Sequence, residues 1–144
     1  MTENERAEIE RSCNRLVTAY ARATDLGDGP AAAALFTEDG QLDMPGGRSF
    51  HGRAQIAARI AEQPRQQVSR HVIANIVIEP QAADRAAGSL YVTMYRGQRP
   101  ESGGPVPLDG PYLVGEYEDE YRRTAEGWRI ARRRLTTIFR RNGA

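Results

Sequence analysis

His71 and Asp25 are the two residues of this 144-residue chain whose types and positions predict acid–base chemistry. His71 lies within the longest apolar run, residues 69–78, where an unpaired imidazole costs about 1–3 kcal/mol and therefore needs a hydrogen-bond partner. A carboxylate that accepts a hydrogen bond from one ring nitrogen fixes the tautomer and leaves the other nitrogen free as a base. Such a base can remove a proton next to a carbonyl or a leaving group.

Asp25 is the predicted partner of His71, because nothing in its own helix explains it. It ends a helical pattern just before the glycine-rich residues 27–29, where a carboxylate opposes the helix dipole by about 0.3–1 kcal/mol. The two residues lie 46 positions apart (71 − 25), so only the tertiary fold can join them. Two plainer interpretations stay open: His71 as a core histidine with an ordinary partner, and Asp25 as a hydrogen-bond acceptor for the following turn.

The elements that must position this pair follow from the periodicity of the apolar residues. Spacings of three and four predict a first helix over residues 5–26, and Gly and Pro signals mark two shorter helices further on. Alternation with a period of two predicts four long strands joined as a meander. The shorter elements are helices over 31–36 and 52–64 and strands over 41–44 and 48–50; the long strands span 69–79, 85–96, 112–123 and 128–140.

Helices followed by an antiparallel sheet define the α+β class. We expect a cone-shaped fold in which three N-terminal helices pack on the concave face of a curved, mainly antiparallel sheet, with a cavity at the open end. The length predicts one domain over residues 1–144. The Pro- and Gly-rich connection over 97–111 is long for a hairpin, which predicts an oligomer arm or a lid over the cavity.

The apolar run around His71 predicts a particular place for its strand. Strict alternation puts His71, Ile73, Asn75 and Val77 on one face, and the opposite face is also mostly apolar. A strand covered on both sides belongs to the middle of a sheet. We therefore expect His71 on a central strand, facing the first helix.

The composition excludes several kinds of chemistry. All twenty basic residues are arginine, so Schiff bases, lysine-anchored pyridoxal phosphate and an ordinary phosphate-binding loop are excluded. Cys13 is the only cysteine and the histidines lack metal-ligand spacing, so we expect no disulfide, no metal and no cofactor. The charged N-terminus and the lack of a long apolar run predict a cytoplasmic protein that does not enter a membrane.

An arginine-rich stretch over residues 129–141 has the composition of a nucleic-acid-binding stripe. The neighbouring strand carries acidic residues over 116–120, and opposite charges on adjacent strands pair with each other. Few aromatic residues are interleaved with the arginines, so we expect no nucleic-acid partner. An exposed sheet face predicts instead self-association, through Tyr91, Thr93 and Tyr95 or through Tyr117 and Tyr121.

Several short motifs resemble the SnoaL-like branch of the nuclear-transport-factor-2-like superfamily, and they cover nearly the whole chain. They are Tyr20 with Asp25, Leu35-Phe36 before Glu38-Asp39, Phe50-His51-Gly52 before Ile56, His71 with Asn75, and Gly127-Trp128-Arg129-Ile130-Ala131 before an arginine run. The resemblance implies the cone-shaped α+β fold shared by scytalone dehydratase, hexachlorocyclohexane dehydrochlorinase and bile-acid 7α-dehydratase. In those enzymes an aspartate–histidine pair is the base for elimination. Members of this branch are dimers or trimers, so the resemblance implies a homodimer or a homotrimer.

The resemblance also implies roles for individual residues. Asp25 and His71 fall on the catalytic pair. Tyr20 matches a pocket tyrosine, which can donate to a developing oxyanion or a departing hydroxyl. Arg133 matches a pocket arginine that holds charge, and Asn75 is a further candidate for supporting the pocket.

Two geometric conditions must hold if these residues share a cavity. Tyr20 and Asp25 are about 140° apart around a regular helix, so both reach one cavity only if the helix loosens near its end. Arg133 shares strand parity with Leu135 but not with Ile130, so a bulge or a mixed strand face is required.

These observations predict a cofactor-free lyase, such as a dehydratase, or an isomerase acting on a small hydrophobic cyclic, polyketide- or steroid-like molecule. Asp25, His71 and Tyr20 are the predicted catalytic residues. Arg133 and Asn75 are the predicted substrate-binding residues. Two alternatives remain: a non-catalytic small-molecule-binding protein that uses the same cavity, and a small structural subunit of an aromatic-ring dioxygenase.

Overall fold

The computed structural model describes residues 1–143 and shows three helices packed on one six-stranded sheet. The helices are α1 (Glu3–Asp25), α2 (Gly29–Ala33) and α3 (Gly52–Ala61). The strands are β1 (Phe36–Met44), β2 (Arg48–His51), β3 (Gln67–Ala82), β4 (Arg85–Gln98), β5 (Leu113–Thr124) and β6 (Gly127–Arg140). Each predicted element is present with shifted ends, and the predicted α+β class is confirmed.

The strands lie in the order β2-β1-β6-β5-β4-β3 in an open sheet that does not close into a barrel. All neighbouring pairs are antiparallel except β1 and β6, as expected for a mainly antiparallel sheet. The predicted central position of β3 is wrong, because β3 is an edge strand. One of its faces packs on α1, whereas on the other Val72 and Val77 are 52% and 51% exposed. This apolar face of β3 is exposed to solvent and could contact another protein surface.

Helix α1 positions the first candidate residues. Thr2 and Glu5 form a capping box at its start, which satisfies two free backbone N–H groups. Its buried stripe includes Cys13, Val17 and Tyr20 and packs on the inner face of the sheet. The helix ends at Asp25, beside β3.

No helix in the described part of the chain is long and apolar enough to cross a membrane.

A β-bulge at Asn75 changes which residues of β3 face the core. The register to β4 shifts between Ala74 and Val77, and Asn75 has a φ of +52°, in the left-handed region that asparagine tolerates. Because of the extra residue, Val77 is exposed while Ile78 packs against the core. The strict alternation predicted for this strand therefore fails after residue 74.

A second bulge lies on β6 and places Arg133 inside. Tyr121 pairs with Ile130 and Glu120 with Arg132, so Ala131 is the extra residue. Ile130, Arg133 and Leu135 are consequently all buried, and the bulge that their parity required is present.

The predicted pairing of charges across the sheet is also found. Arg134 pairs with Glu118 and Arg133 with Asp119, the residues directly opposite them on β5. The second proposed self-association surface is wrong, because Tyr117 and Tyr121 are 3% and 1% exposed. Tyr91 is 47% exposed and stays available on the outer face.

Two close contacts bring the remaining segments onto the core. A Cβ at Gly29 would lie 2.1 Å from the carbonyl oxygen of Ala57, so only glycine permits α2 to approach α3 this closely. A Cβ at Gly97 would lie 2.4 Å from a methyl carbon of Val106. The connection between β4 and β5 thus folds back onto β4, and Tyr112 at its end reaches the cavity described below.

Candidate active site

A cavity of about 450 Å³ opens between α1, α3 and the inner face of the sheet. This volume is in the range of small-molecule sites in proteins. Apolar side chains form much of the wall, among them Leu42, Met44, Ile60, Val92, Met94, Leu113 and Leu135. The polar wall includes Tyr20, Thr24, Ser69, His71, Tyr112, Tyr117 and Thr137.

Asp25 and His71 are in direct contact at the wall of this cavity. Oδ1 of Asp25 accepts two hydrogen bonds from His71, one from its backbone N–H at 3.0 Å and one from ring Nδ1 at 2.6 Å. The side chains of His71 and Asp25 are 15% and 12% exposed. Because the ionised carboxylate only accepts, a neutral imidazole carries its proton on Nδ1 and keeps a lone pair on Nε2. The predicted contact is present, and its catalytic use stays a prediction.

Tyr20 and Asp25 do not share the cavity wall, so the loosening of the helix that a shared cavity would require is not needed. Helix α1 is continuous to Asp25, and Tyr20 and Thr24 line the cavity. The hydroxyl of Thr24 donates to the backbone of the preceding turn. Asp25 is not part of the cavity wall but contacts His71 from the adjoining helix end. The two residues therefore differ in role: Tyr20 faces the cavity, and Asp25 orients a residue that does.

Tyr20 is held as a protonated donor. It is 3% exposed, and its ring lies edge-on to Phe36 and Tyr117, with centroids 5.9 and 6.1 Å away. Burial raises the pKa of Tyr20, and nearby Tyr117 raises it further, although Arg133 opposes both. Among residues 1–143 its hydroxyl has no hydrogen-bond partner, so it is available to a ligand.

Arg133 is buried beneath the cavity and does not form part of its wall. Its Nε and Nη2 donate to the two carboxylate oxygens of Asp119 at 2.7 and 2.6 Å. Its guanidinium carbon lies 4.5 Å from the ring centroid of Tyr20 and 4.2 Å from that of Tyr117. The predicted direct contact with substrate is therefore corrected, because the side chain has no exposed surface and its Nε and Nη2 are bound to Asp119. Its Nη1 is buried without a hydrogen-bond partner in the described residues.

Asn75 is likewise not brought to the cavity. It occupies the bulge of β3, and its side chain is exposed. The bulge requires a residue that tolerates a positive φ, which explains an asparagine there. Its predicted binding role is corrected on this ground.

Sequence reasoning missed four arginines that line the cavity, Arg48, Arg59, Arg96 and Arg140. Alternation along β4 gives Arg96 the same face as Met94 and Val92, so parity with two core residues was the signal that could have found it. No comparable pattern marks Arg48, which follows a turn. Among residues 1–143 no group of three or more His, Cys, Asp or Glu side chains is placed to hold a metal ion.

Comparisons with known proteins identify the family and the fold of the chain. The sequence profile of the SnoaL-like domain matches residues 5–134. A search of curated protein sequences gives no significant match.

Solved structures share the fold. An NTF2-like protein with a cystatin-like fold from Novosphingobium aromaticivorans is 26% identical with a TM-score of 0.75, covering 96% of this chain and 86% of that one. A candidate scytalone dehydratase from the same organism is 21% identical with a TM-score of 0.81, covering 99% and 93%. A type 2 hexachlorocyclohexane dehydrochlorinase is 15% identical with a TM-score of 0.80, covering 99% and 95%. Because the profile extends over most of its residues, the chain belongs to the SnoaL-like domain family within the NTF2-like fold.

Proposed function

We propose that this protein is a cofactor-free lyase or isomerase that removes a proton from a small hydrophobic molecule. The observation that carries the proposal is the 2.6 Å contact between Asp25 Oδ1 and His71 Nδ1 at the wall of a cavity of about 450 Å³. Family membership supports it, as does likeness in fold to a candidate dehydratase and to a dehydrochlorinase.

His71 is the base in this mechanism. Its Nε2 takes a proton from a substrate carbon, and Asp25 stabilises the imidazolium that forms. In an elimination, the electron pair of the C–H bond becomes the new carbon–carbon double bond while a hydroxide or halide leaves the neighbouring carbon. In an isomerisation, His71 returns the proton to a different carbon.

Tyr20 supplies the hydrogen bond that the reaction needs on oxygen. Because burial holds its pKa above the ordinary value, it stays protonated and donates to a departing hydroxyl or to a developing enolate oxygen. Arg133 is a positioning residue that fixes the rings of Tyr20 and Tyr117 from below. Leu42, Val92 and the other apolar residues of the wall favour a cyclic, polyketide- or steroid-like body.

We also propose that residues 1–144 act as one domain in a cytoplasmic homodimer or homotrimer. The uncovered outer face of the sheet supports self-association, since Val72, Val77 and Tyr91 are all about half exposed there. Size-exclusion chromatography with light scattering tests this, and a charge introduced by Val72→Asp should yield monomers. A wild-type protein that is monomeric at high concentration would remove this part of the proposal.

The test of the activity is a turnover screen. Scytalone, hexachlorocyclohexane and hydroxylated cyclic ketones and acids are incubated with the protein, and loss of water or release of chloride is measured. We expect product with the wild type and with the exposed-site control Asp84→Asn, and at least about 100-fold less with His71→Gln. A ligand bound tightly but recovered unchanged favours the non-catalytic binding protein. Co-purification with a large iron-containing subunit favours the dioxygenase subunit.

A further inference from the structure

Arginines on the cavity wall and arginines elsewhere in the chain differ in their partners. Several arginines of the sheet outside the cavity wall pair with carboxylates, namely Arg132 with Asp43, Arg133 with Asp119, Arg134 with Glu118 and Arg122 with Asp39, whereas Arg70 and Arg129 donate to backbone carbonyl oxygens. On the cavity wall, Arg96 has no salt-bridge partner among residues 1–143, and Arg59 reaches only Glu62, at 4.0 Å. Among the described residues that form the wall, Glu62 is the only acidic one, and four are arginines. The cavity therefore has an excess of positive charge.

The guanidinium of Arg96 is held in place without being neutralised. Its central carbon lies 4.4 Å from the ring centroid of Tyr112, and its Nη2 contacts the sulfur of Met94 at 3.8 Å. Its Nε is buried and has no hydrogen-bond partner in the described residues, and the same is true of Nε in Arg59. A guanidinium on the cavity wall that no carboxylate neutralises favours a ligand that brings a negatively charged acceptor to its remaining N–H groups.

Arg96 lies within reach of a molecule in contact with His71. On the ladder between β3 and β4, His71 is opposite Met94 and Ser69 is opposite Arg96. Residues two apart on a strand share a face and are separated by about 7 Å. A ligand of one or two rings spans that step, so one end can bind to Arg96 while a carbon at the other end faces His71.

We propose that the cavity takes an apolar molecule bearing a carboxylate, and that Arg96 binds the carboxylate. The planar guanidinium matches the two oxygens of a carboxylate, and Tyr112 holds it in a fixed orientation. The apolar body lies against Met94 and Val92. The place of the reacting carbon rests on the proposed function, whereas the anion site itself does not depend on turnover.

The experiment compares two probes that differ only in charge, cinnamate and its neutral isostere cinnamamide. Their affinities are measured by isothermal titration calorimetry for the wild type, Arg96→Gln, Arg96→Lys and Arg70→Gln. Arg70 is the matched control, because it is an exposed arginine of β3 that lies outside the cavity wall, so its replacement removes the same charge. Circular dichroism establishes that each variant is folded.

We expect the wild type and Arg70→Gln to bind cinnamate at least about tenfold more tightly than cinnamamide, which is about 1.4 kcal/mol. Arg96→Gln should remove this preference by weakening cinnamate alone, and Arg96→Lys should retain part of it. Equal affinity for the two probes in the wild type, or no binding of cinnamate, would overturn the proposal. So would an Arg96→Gln variant that weakens both probes equally.

The experiments can distinguish failure of the proposed anion site from failure of the proposed reaction. His71→Gln should keep the preference for cinnamate, because Arg96 and not His71 binds the carboxylate. If the protein prefers cinnamate but converts none of the screened molecules, the proposed anion site stands and the proposed activity is contradicted. If the protein converts neutral substrates but binds cinnamate and cinnamamide equally, the proposed activity stands and the anion site is contradicted.

Discussion

Arg133 and Asp119 form a two-point ion pair with no exposed side-chain surface, directly beneath the tyrosines of the cavity. Tyr121 adds a hydrogen bond to Asp119 at 2.5 Å. Burial opposes the charge on Arg133, but Asp119 more than compensates and holds the pKa of Arg133 above its ordinary value. The floor of the cavity thus contains a buried ion pair in which each charge offsets the desolvation cost of the other.

Removing one member of this pair should be far more harmful than removing both. Arg133→Met leaves a buried, unpaired carboxylate, and we expect it to lower the free energy of unfolding by about 3–5 kcal/mol in urea titrations. The double variant with Asp119→Leu should recover most of that loss. The exposed pair gives the control, since Arg134→Met should cost less than about 1 kcal/mol. Equal losses for Arg133→Met and Arg134→Met would show that the buried pair has no special importance.

Asp25→Asn should reduce turnover while the protein stays folded. Because the same oxygen accepts from the backbone N–H of His71, the amide keeps its carbonyl oxygen there and still orients Nδ1–H, but it lacks the negative charge that stabilises the imidazolium formed when His71 takes a proton. We expect kcat to fall at least about 100-fold while ligand affinity, measured by calorimetry, changes little. Asp84→Asn, at an exposed turn, is the matched control. Wild-type turnover in Asp25→Asn would contradict the stabilisation of the imidazolium by Asp25.

Asn75 should be important for backbone conformation and not for binding. Its φ of +52° is unfavourable for a β-branched residue, so Asn75→Val should cost about 1–2 kcal/mol of unfolding free energy. Asn75→Gly should stay within about 1 kcal/mol of the wild type, and Ala74→Val, at the exposed neighbour, serves as the control. A change in ligand affinity with Asn75→Gly would restore the binding role.

Asp43 predicts a measurable dependence of stability on acid. Burial raises its pKa, but hydrogen bonds from Ser49, Gln41 and Arg132 outweigh this and lower the pKa from 3.8 to about 2. A lowered pKa gives stability that is present above the ordinary pKa and is lost as the pH falls through the folded value. The wild type should therefore exceed Asp43→Asn by about 1–2 kcal/mol at neutral pH, with the difference shrinking between about pH 4 and pH 2. A difference that does not change over this range would contradict the assignment.

The contact between Asp25 and His71 was predictable because each residue lacked a local explanation. A carboxylate at the wrong end of a helix and an imidazole in an apolar strand both need a distant partner. Helix and strand periodicity then supplied the elements that join them. The edge position of β3 was not predictable. A strand with apolar residues on both faces has the same sequence pattern whether its second face is covered by this chain or is free to contact another surface.

The side of the sheet to which each side chain points was harder to predict, because a single extra residue in a strand reverses it for the residues that follow. One extra residue at Asn75 turns Val77 outward, and another at Ala131 turns Arg133 inward. Arg133 nevertheless lies beneath the cavity wall, because its guanidinium is bound to Asp119 under the rings of Tyr20 and Tyr117. Arg96 went unnoticed although its parity with Met94 was visible in the sequence.

The most direct test of the account is proton removal by His71. A ligand or substrate found in the screen is incubated in heavy water, and deuterium incorporation or product formation is measured for the wild type, His71→Gln and Asp84→Asn. We predict exchange or turnover with the wild type and the control, and at least about 100-fold less with His71→Gln, with ligand affinity retained. Undiminished exchange or turnover in His71→Gln would contradict the central claim.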